Sequence, residues 1–343
     1  CQFEGCRGIE NAHLTLTDVR IPVEDVIGQV GKGLKYALTI LNVGRAVSIP
    51  AICLGMAKQA WQPTLDQANT RVTFQKPLAE RQTQQIRIGR MASRLSAMEA
   101  LATLVWRLAD QHRYDIRIEA AIVKMFCSEH TIRFVRDAQI LFGGMGYETA
   151  EAKKARREPA FGIEQLVRGP EMDRVGEGAT DILRPFVVRE GLSHHLDRAT
   201  AFYRDDLSAR QRLGQLWHGL GFYVPWYLRQ WRRRPIPGRR EFQHPEVLPC
   251  LRFVERMSRR LARRVFHVLV RFRASFRDEQ YLQDRIEAVG EELLAMAATV
   301  LHVERCARLE GRTSVWELAE TFCGVLPDAV RGHHSSPVGR LSS

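Results

Sequence analysis

The chain has 343 residues, 45% hydrophobic and 26% charged, which suffices for one large or two medium cores and excludes a wholly disordered chain. Its formal net charge of +12 lies entirely between Arg229 and Arg277, where fifteen arginines face three glutamates, so a general polycation is excluded as well. The longest uncharged aromatic-rich run, Leu216–Leu228, has 13 residues against the roughly 20 of a bilayer-spanning helix, and no membrane-crossing helix is expected.

Residues 10–28 open with alternation, Leu14, Leu16 and Val19 against His13, Thr15 and Thr17, which predicts a strand ending at the Pro22 turn. From Leu34 to Asn69 apolar residues recur at helical spacing, with Pro50 and Pro63 as kinks or breaks. A second helix is predicted from about Leu78 to Ala109 and a third from Ile116 to Phe142, closed by the glycines of FGGMGY. Irregular chain follows to about Gly176, and a fourth helix runs from near Gly178 through DILRPFVVREGLSHHL. Helices of this length argue for an antiparallel four-helix bundle. Past residue 205 come the aromatic run, the turn RRRPIPGRR, two long amphipathic helices at 246–276 and 279–309, and a short one at 315–325. The expected fold class is all-α, with a short β remnant at 1–28, a bundle at 29–195, a second helical domain at 196–330 and a disordered tail at 331–343.

The seven cysteines form no CxxC pair and are odd in number. They read as reduced thiols of a cytoplasmic protein, with Cys127, Cys306 and Cys323 inside apolar helical patterns, and no metal site is expected. The rings of Trp217, Phe222, Tyr223, Trp226, Tyr227 and Trp231, followed by Arg229 and Arg232–Arg234, leave two readings open. Either residues 216–240 lie peripherally on the inner face of an anionic membrane, or the rings fill the core of the extension. No motif supports nucleic-acid binding.

Three stretches carry candidate chemistry: RVTFQKPL from Arg71, QILFGGMGYET from Gln139, and DRVGEGATDILRPF, in which Glu177 stands between Gly176 and Gly178. Singly they have bland readings: a solvated arginine, a glycine C-cap, a carboxylate capping a helix start. In this order and spacing, residues 8 to about 195 resemble the C-terminal half of the acyl-CoA dehydrogenase family, RVTFQKPL matching its RxxFGxPL element and VGEGATDILR its EGT-x-x-I-x-R element. Gln75 stands where the family usually has glycine. The extension resembles that of the very-long-chain branch, which attaches to membranes.

The resemblance implies 2,3-dehydrogenation of a fatty acyl-CoA, with Glu177 as the base and hydride transfer to FAD. It implies cofactor contacts from Arg71, Phe74, Gln139, Gly143, Gly144, Ala179, Thr180 and Asp181, and substrate contacts from Asn42, Gly44, Arg45 and Gly178. Some relatives carry the base at the position of Gly44, which has no side chain here. A homodimer and an electron-transfer flavoprotein as electron acceptor are further implications. The family's N-terminal domain and most of its β-domain have no counterpart in the chain, which implies a fragment or truncated member. The alternative is a non-catalytic helical module for dimerisation or membrane docking.

Overall fold

The computed structural model describes residues 1–113, 115–202, 209–238, 242, 245–311 and 315–332. The polar tail beyond Gly332 lies outside the described residues. Contacts divide the chain into two compact units, Cys1–Thr180 and Asp181–Ser343.

In the first unit, α1 (Gly33–Val43) continues through one wide π-type turn (Gly44–Ser48) into α2 (Ile49–Thr70). The hairpin β1–β2 (Val72–Thr73, Lys76–Pro77) follows, then α3 (Gln82–Asp110) and α4 (Arg117–Phe142). The fold is all-α with this one small sheet among the described residues. A row of mostly small buried residues on α2, Cys53, Ala57, Ala60, Thr64 and Ala68, recurs every three or four positions and faces the bundle. Its counterpart on α4 is buried almost all round from Ala120 to Ser128, including the side chain of Lys124.

Several expectations change. Residues 10–21 form no strand, and Leu14, Leu16, Val19 and Ile21 are 62–83% exposed. Alternation makes a strand only where a second strand takes its backbone hydrogen bonds, and no described segment offers one. The stretch expected to be irregular holds four short helices: α5 (Gly144–Tyr147), α6 (Ala150–Ala155), α7 (Ile163–Arg168) and α8 (Pro170–Val175). One helix does reach spanning length and apolarity, the continuous Gly33–Thr70 of 38 residues. Pro50 lies inside this continuous run, where the Ala46 carbonyl four residues before it accepts the Trp106 indole N–H instead, and the carbonyl orphaned by Pro63 belongs to exposed Gln59. Its α2 half lines the bundle core, the position of a buried core helix.

The second unit holds α9 (Thr180–Phe202), α10 (Ala209–Arg229), α11 (Leu248–Phe272), α12 (Gln280–Glu310) and α13 (Trp316–Gly332). The fourth helix of the expected bundle, α9, therefore clusters with the extension from Asp181 onward. The expectation that all cysteines are reduced is corrected at one pair: Cys250 and Cys323 form a disulfide between α11 and α13, with Cα atoms 6.2 Å apart. A pairing between residues 73 positions apart is invisible to spacing rules that look for local motifs.

The aromatic run also divides. Tyr223, Trp226 and Tyr227 pack at a tilt against Phe266 of α11 at centroid distances of 5.5, 5.9 and 5.3 Å, so these rings pack within the unit. Trp217, Leu220, Val224, Leu228 and Trp231 recur every three or four positions and are all exposed.

Candidate active site

The π-type turn between α1 and α2 presents Gly44 and Arg45 to the loop that follows α8. Trp106 of α3 donates its indole N–H to the Ala46 carbonyl at 2.9 Å and ties this turn to the bundle. Across from it Glu177 adopts φ +56° and Gly178 φ +111°. The left-handed region disfavours a residue with a Cβ, so the loop must be held by its surroundings.

Arg45 supplies one hold. Its Nε donates to the Glu177 carbonyl at 2.6 Å, and its Nη1 reaches Asn42 Oδ1 at 3.4 Å. Arg45 is buried, and desolvation pulls its pKa below the ordinary arginine value while the Glu177 carboxylate opposes that shift. The carboxylate lies directly over Gly44, where an added Cβ would come within 2.1–2.4 Å of Oε1, Oε2 and Cδ. Glycine at this position is therefore a requirement of the Glu177 pose. Glu177 Oε2 is buried and accepts no hydrogen bond. The structure thus brings Asn42, Gly44, Arg45, Glu177 and Gly178 into one cluster.

A buried cluster behind the loop escaped the sequence reading. Lys124 Nζ donates to the Arg174 and Gly178 carbonyls at 2.9 and 2.8 Å. Burial pushes its pKa down to about 8. Beside it Cys53 Sγ donates to Asp173 Oδ2 at 3.7 Å, and burial raises the Asp173 carboxyl to about 6. Desolvation, followed by the Asp173 charge, pushes the Cys53 thiol up. Thr180 Oγ1 donates to Glu129 Oε1 at 3.2 Å, beside which Arg174 Nε also donates to Glu129 at 2.8 Å.

The expected cofactor residues form two other groups. Phe74 and Gln75 occupy the two-residue tip of the β1–β2 hairpin with φ +48° and +63°, a turn that ordinarily selects Asn and Gly. Phe74 is 92% exposed at this tip, with the Arg81 guanidinium 5.4 Å from its ring centre, and Arg71 is exposed at the end of α2. At the end of α4, Gly143 (φ +61°) and Gly144 have no atom within 4 Å of an added Cβ. Gln139 donates its amide to the Gly146 carbonyl at 3.2 Å, so it braces the glycine turn. No hydrogen bond, ion pair or ring contact among the described residues joins either group to Glu177. Ala179 is half-buried beside Gly178, and Asp181 is exposed in the first turn of α9. No metal-ligating cluster occurs among the described residues.

The family described as "Acyl-CoA dehydrogenase, C-terminal domain" matches residues 31–192. That stretch is an acyl-CoA dehydrogenase C-terminal domain. Across nearly the whole chain, the protein is 38% identical over 326 residues to the "Probable acyl-CoA dehydrogenase FadE10" of Mycobacterium tuberculosis H37Rv, covering 94% of this chain and 50% of that one. It is 27% identical over 325 residues to the human "Very long-chain specific acyl-CoA dehydrogenase, mitochondrial", covering 93% of this chain and 47% of that one. The chain thus spans about half the length of the curated acyl-CoA dehydrogenases it matches. The solved acyl-CoA dehydrogenase from Bacillus anthracis, complexed with FAD, superposes with a TM-score of 0.68 over 93% of this chain and 52% of that one. At 21% identity that likeness is one of fold alone.

Proposed function

We propose that this chain carries the base-bearing half of an FAD-dependent acyl-CoA dehydrogenase. The observation that carries the reading is the buried, unpartnered Oε2 of Glu177, held over Gly44 by a backbone that Arg45 grips. A buried acceptor without a partner is costly and calls for a reason. An arriving C–H proton of an acyl thioester supplies one.

Glu177 takes the α-proton at this oxygen. Arg45 fixes the base's backbone, and Gly44 leaves room for the carboxylate and the acyl chain beside it. Asn42 and Gly178 line the thioester. When bound, FAD supplies the hydride acceptor for the β-carbon. The residues present fit such a group: an exposed guanidinium at Arg71, an open glycine backbone at Gly143–Gly144, and a nearly bare Phe74 ring. Thr180 and Asp181 lie at the start of α9, next to the base in sequence. We place FAD contacts at these residues with Ala179, and assign Gln139 to holding the turn. The molecule acts as a homodimer in the cytoplasm, with electrons leaving to an electron-transfer flavoprotein.

A second reading concerns the extension. The exposed stripe from Trp217 to Trp231 and the exposed Arg229 and Arg232–Arg234 favour peripheral docking on an anionic membrane surface. It stands with or without catalysis.

The test is to supply the chain with FAD, a fatty acyl-CoA and an artificial electron acceptor. Bound flavin with formation of the 2-enoyl thioester is the expected result. A chain that retains no flavin and turns over no thioester leaves the docking module as the reading.

A further inference from the structure

We infer that Lys124 is a positioning residue for Glu177: its buried amino group ties the carbonyls on both sides of the base and holds the left-handed turn that lays the carboxylate over Gly44. The inference rests on the reading of Glu177 as the base. Lys124 comes from the middle of α4, remote in sequence from the loop, and is fully buried. Its two bonds, to Arg174 and Gly178, bracket Glu177 at three residues before and one residue after it.

With Arg45 gripping the carbonyl of Glu177 itself, the carbonyls of residues 174, 177 and 178 are held by two cationic side chains from two helical segments, Lys124 of α4 taking the outer pair and Arg45 of the π-type turn the middle one. The Arg174 carbonyl closes the last turn of α8, where a cation also meets the negative end of the helix dipole. Two positive-φ residues in succession at Glu177 and Gly178 make a strained turn that persists only when its surroundings over-determine it.

A solvated lysine would reach water, and this one is sealed between α2 and the loop by buried Cys53 and half-buried Asp173. Both bonds go to neutral carbonyls. A neutral amine retains two N–H donors, so loss of the ammonium charge leaves both bonds available.

The experiment is hydrogen–deuterium exchange on the full chain, comparing wild type with Lys124→Met, which keeps the bulk of the side chain and removes its donors. Loss of two buried hydrogen bonds should speed exchange at residues 175–180 by about 10- to 100-fold. Exchange through α2 and α3 should stay within a few-fold of wild type. Lys124→Gln, which keeps an N–H₂ donor on a shorter arm, should fall between the two, and it takes the place of Lys124→Met if that variant does not fold.

In the FAD-loaded protein the same variants should lower kcat with little change in KM. Unchanged exchange at 175–180 overturns the inference. So does exchange that rises equally along α2, α3 and α4, because Lys124 would then be only a core element. Absence of flavin and turnover in the wild type would defeat the reading of Glu177 as the base, while the exchange comparison would still decide whether Lys124 holds the turn.

Discussion

Lys124 in the first unit and Arg184 in the second are both cations drawn out of water, but they are given different partners. Lys124 meets two backbone carbonyls that never titrate. Arg184 meets carboxylates: Asp284 Oδ1 at 2.6 Å and Glu287 Oε2 at 3.4 Å, with buried Glu291 one turn further along α12. Carboxylates outnumber the guanidinium, and burial raises the Glu287 carboxyl to about 7 and Glu291 well above its ordinary value, the latter further raised by Glu287. The contrast teaches where each unit is sensitive to protons. The carbonyls by which the loop carrying Glu177 is gripped do not titrate and Lys124 itself titrates on the alkaline side, whereas the core of the extension holds an acid, Glu287, that ionises near neutrality.

Removing the cation should therefore have the larger effect in the second unit. Arg184→Met leaves ionised carboxylates buried without their counter-charge, and we expect a loss of about 3 kcal/mol at pH 8 in urea unfolding of the chain. The loss should shrink below about pH 7, where Glu287 binds a proton and needs no cation. A loss independent of pH would mean that Arg184 acts by packing alone.

The wild-type pH profile sharpens the same contrast. Raised folded-state pKa values mean that the native chain binds more protons than the unfolded one, so the contribution of Glu287 is present below about 4.5 and lost as pH climbs through about 7. Lys124 has the opposite sign. Its pKa falls from 10.5 to about 8 on folding, so its burden is felt at neutral pH and relieved as pH rises from 8 to 10.5. Melts followed across both windows should show stability falling in the first, with Arg184→Met altering that limb, and rising in the second. Lys124→Met should flatten the alkaline limb only.

The smallest stability effects belong to the exposed stripe that runs along α10 into the turn after it, where the rings lack burial. Trp217→Ala and Trp231→Ala should each cost less than about 1 kcal/mol, most of it at Trp231, whose ring lies 4.1 Å beneath the Arg263 guanidinium. Both should weaken the salt-resistant part of binding to anionic vesicles in co-sedimentation. Vesicle binding that is absent in the wild type would remove the docking reading of this face.

Much of the architecture was legible in the sequence because its physics is local. The helices at Gln82–Asp110 and Arg117–Phe142 follow from periodicity and the glycine stop at Gly143. The juxtaposition of Gly44 with Glu177 was legible only as a pattern, since a missing side chain 133 positions away shows its meaning when the carboxylate is seen resting on it.

Lys124 was missed because a lysine in a helix ordinarily reads as a solvated face. The available signal was its setting in AAIVKMFC, a run without another charge, where helical geometry leaves no polar side to occupy. The strand at residues 10–21 was overcalled for the reverse reason: alternation is a local property, and sheet pairing is not. The Cys250–Cys323 bridge and the ring contacts with Phe266 depend on contacts between helices that no spacing rule reaches.

The central claim is that Glu177 removes the α-proton of an acyl thioester. Its most direct measurement is exchange of the C2 hydrogens of a saturated acyl-CoA with deuterated water, followed by mass spectrometry with the FAD-supplied chain and no electron acceptor. The wild type should wash deuterium into C2. Glu177→Gln, with the same shape and no basic oxygen, should retain flavin and lose at least about 10²-fold in exchange rate. Exchange in Glu177→Gln within a few-fold of the wild-type rate would contradict the claim and place the base elsewhere.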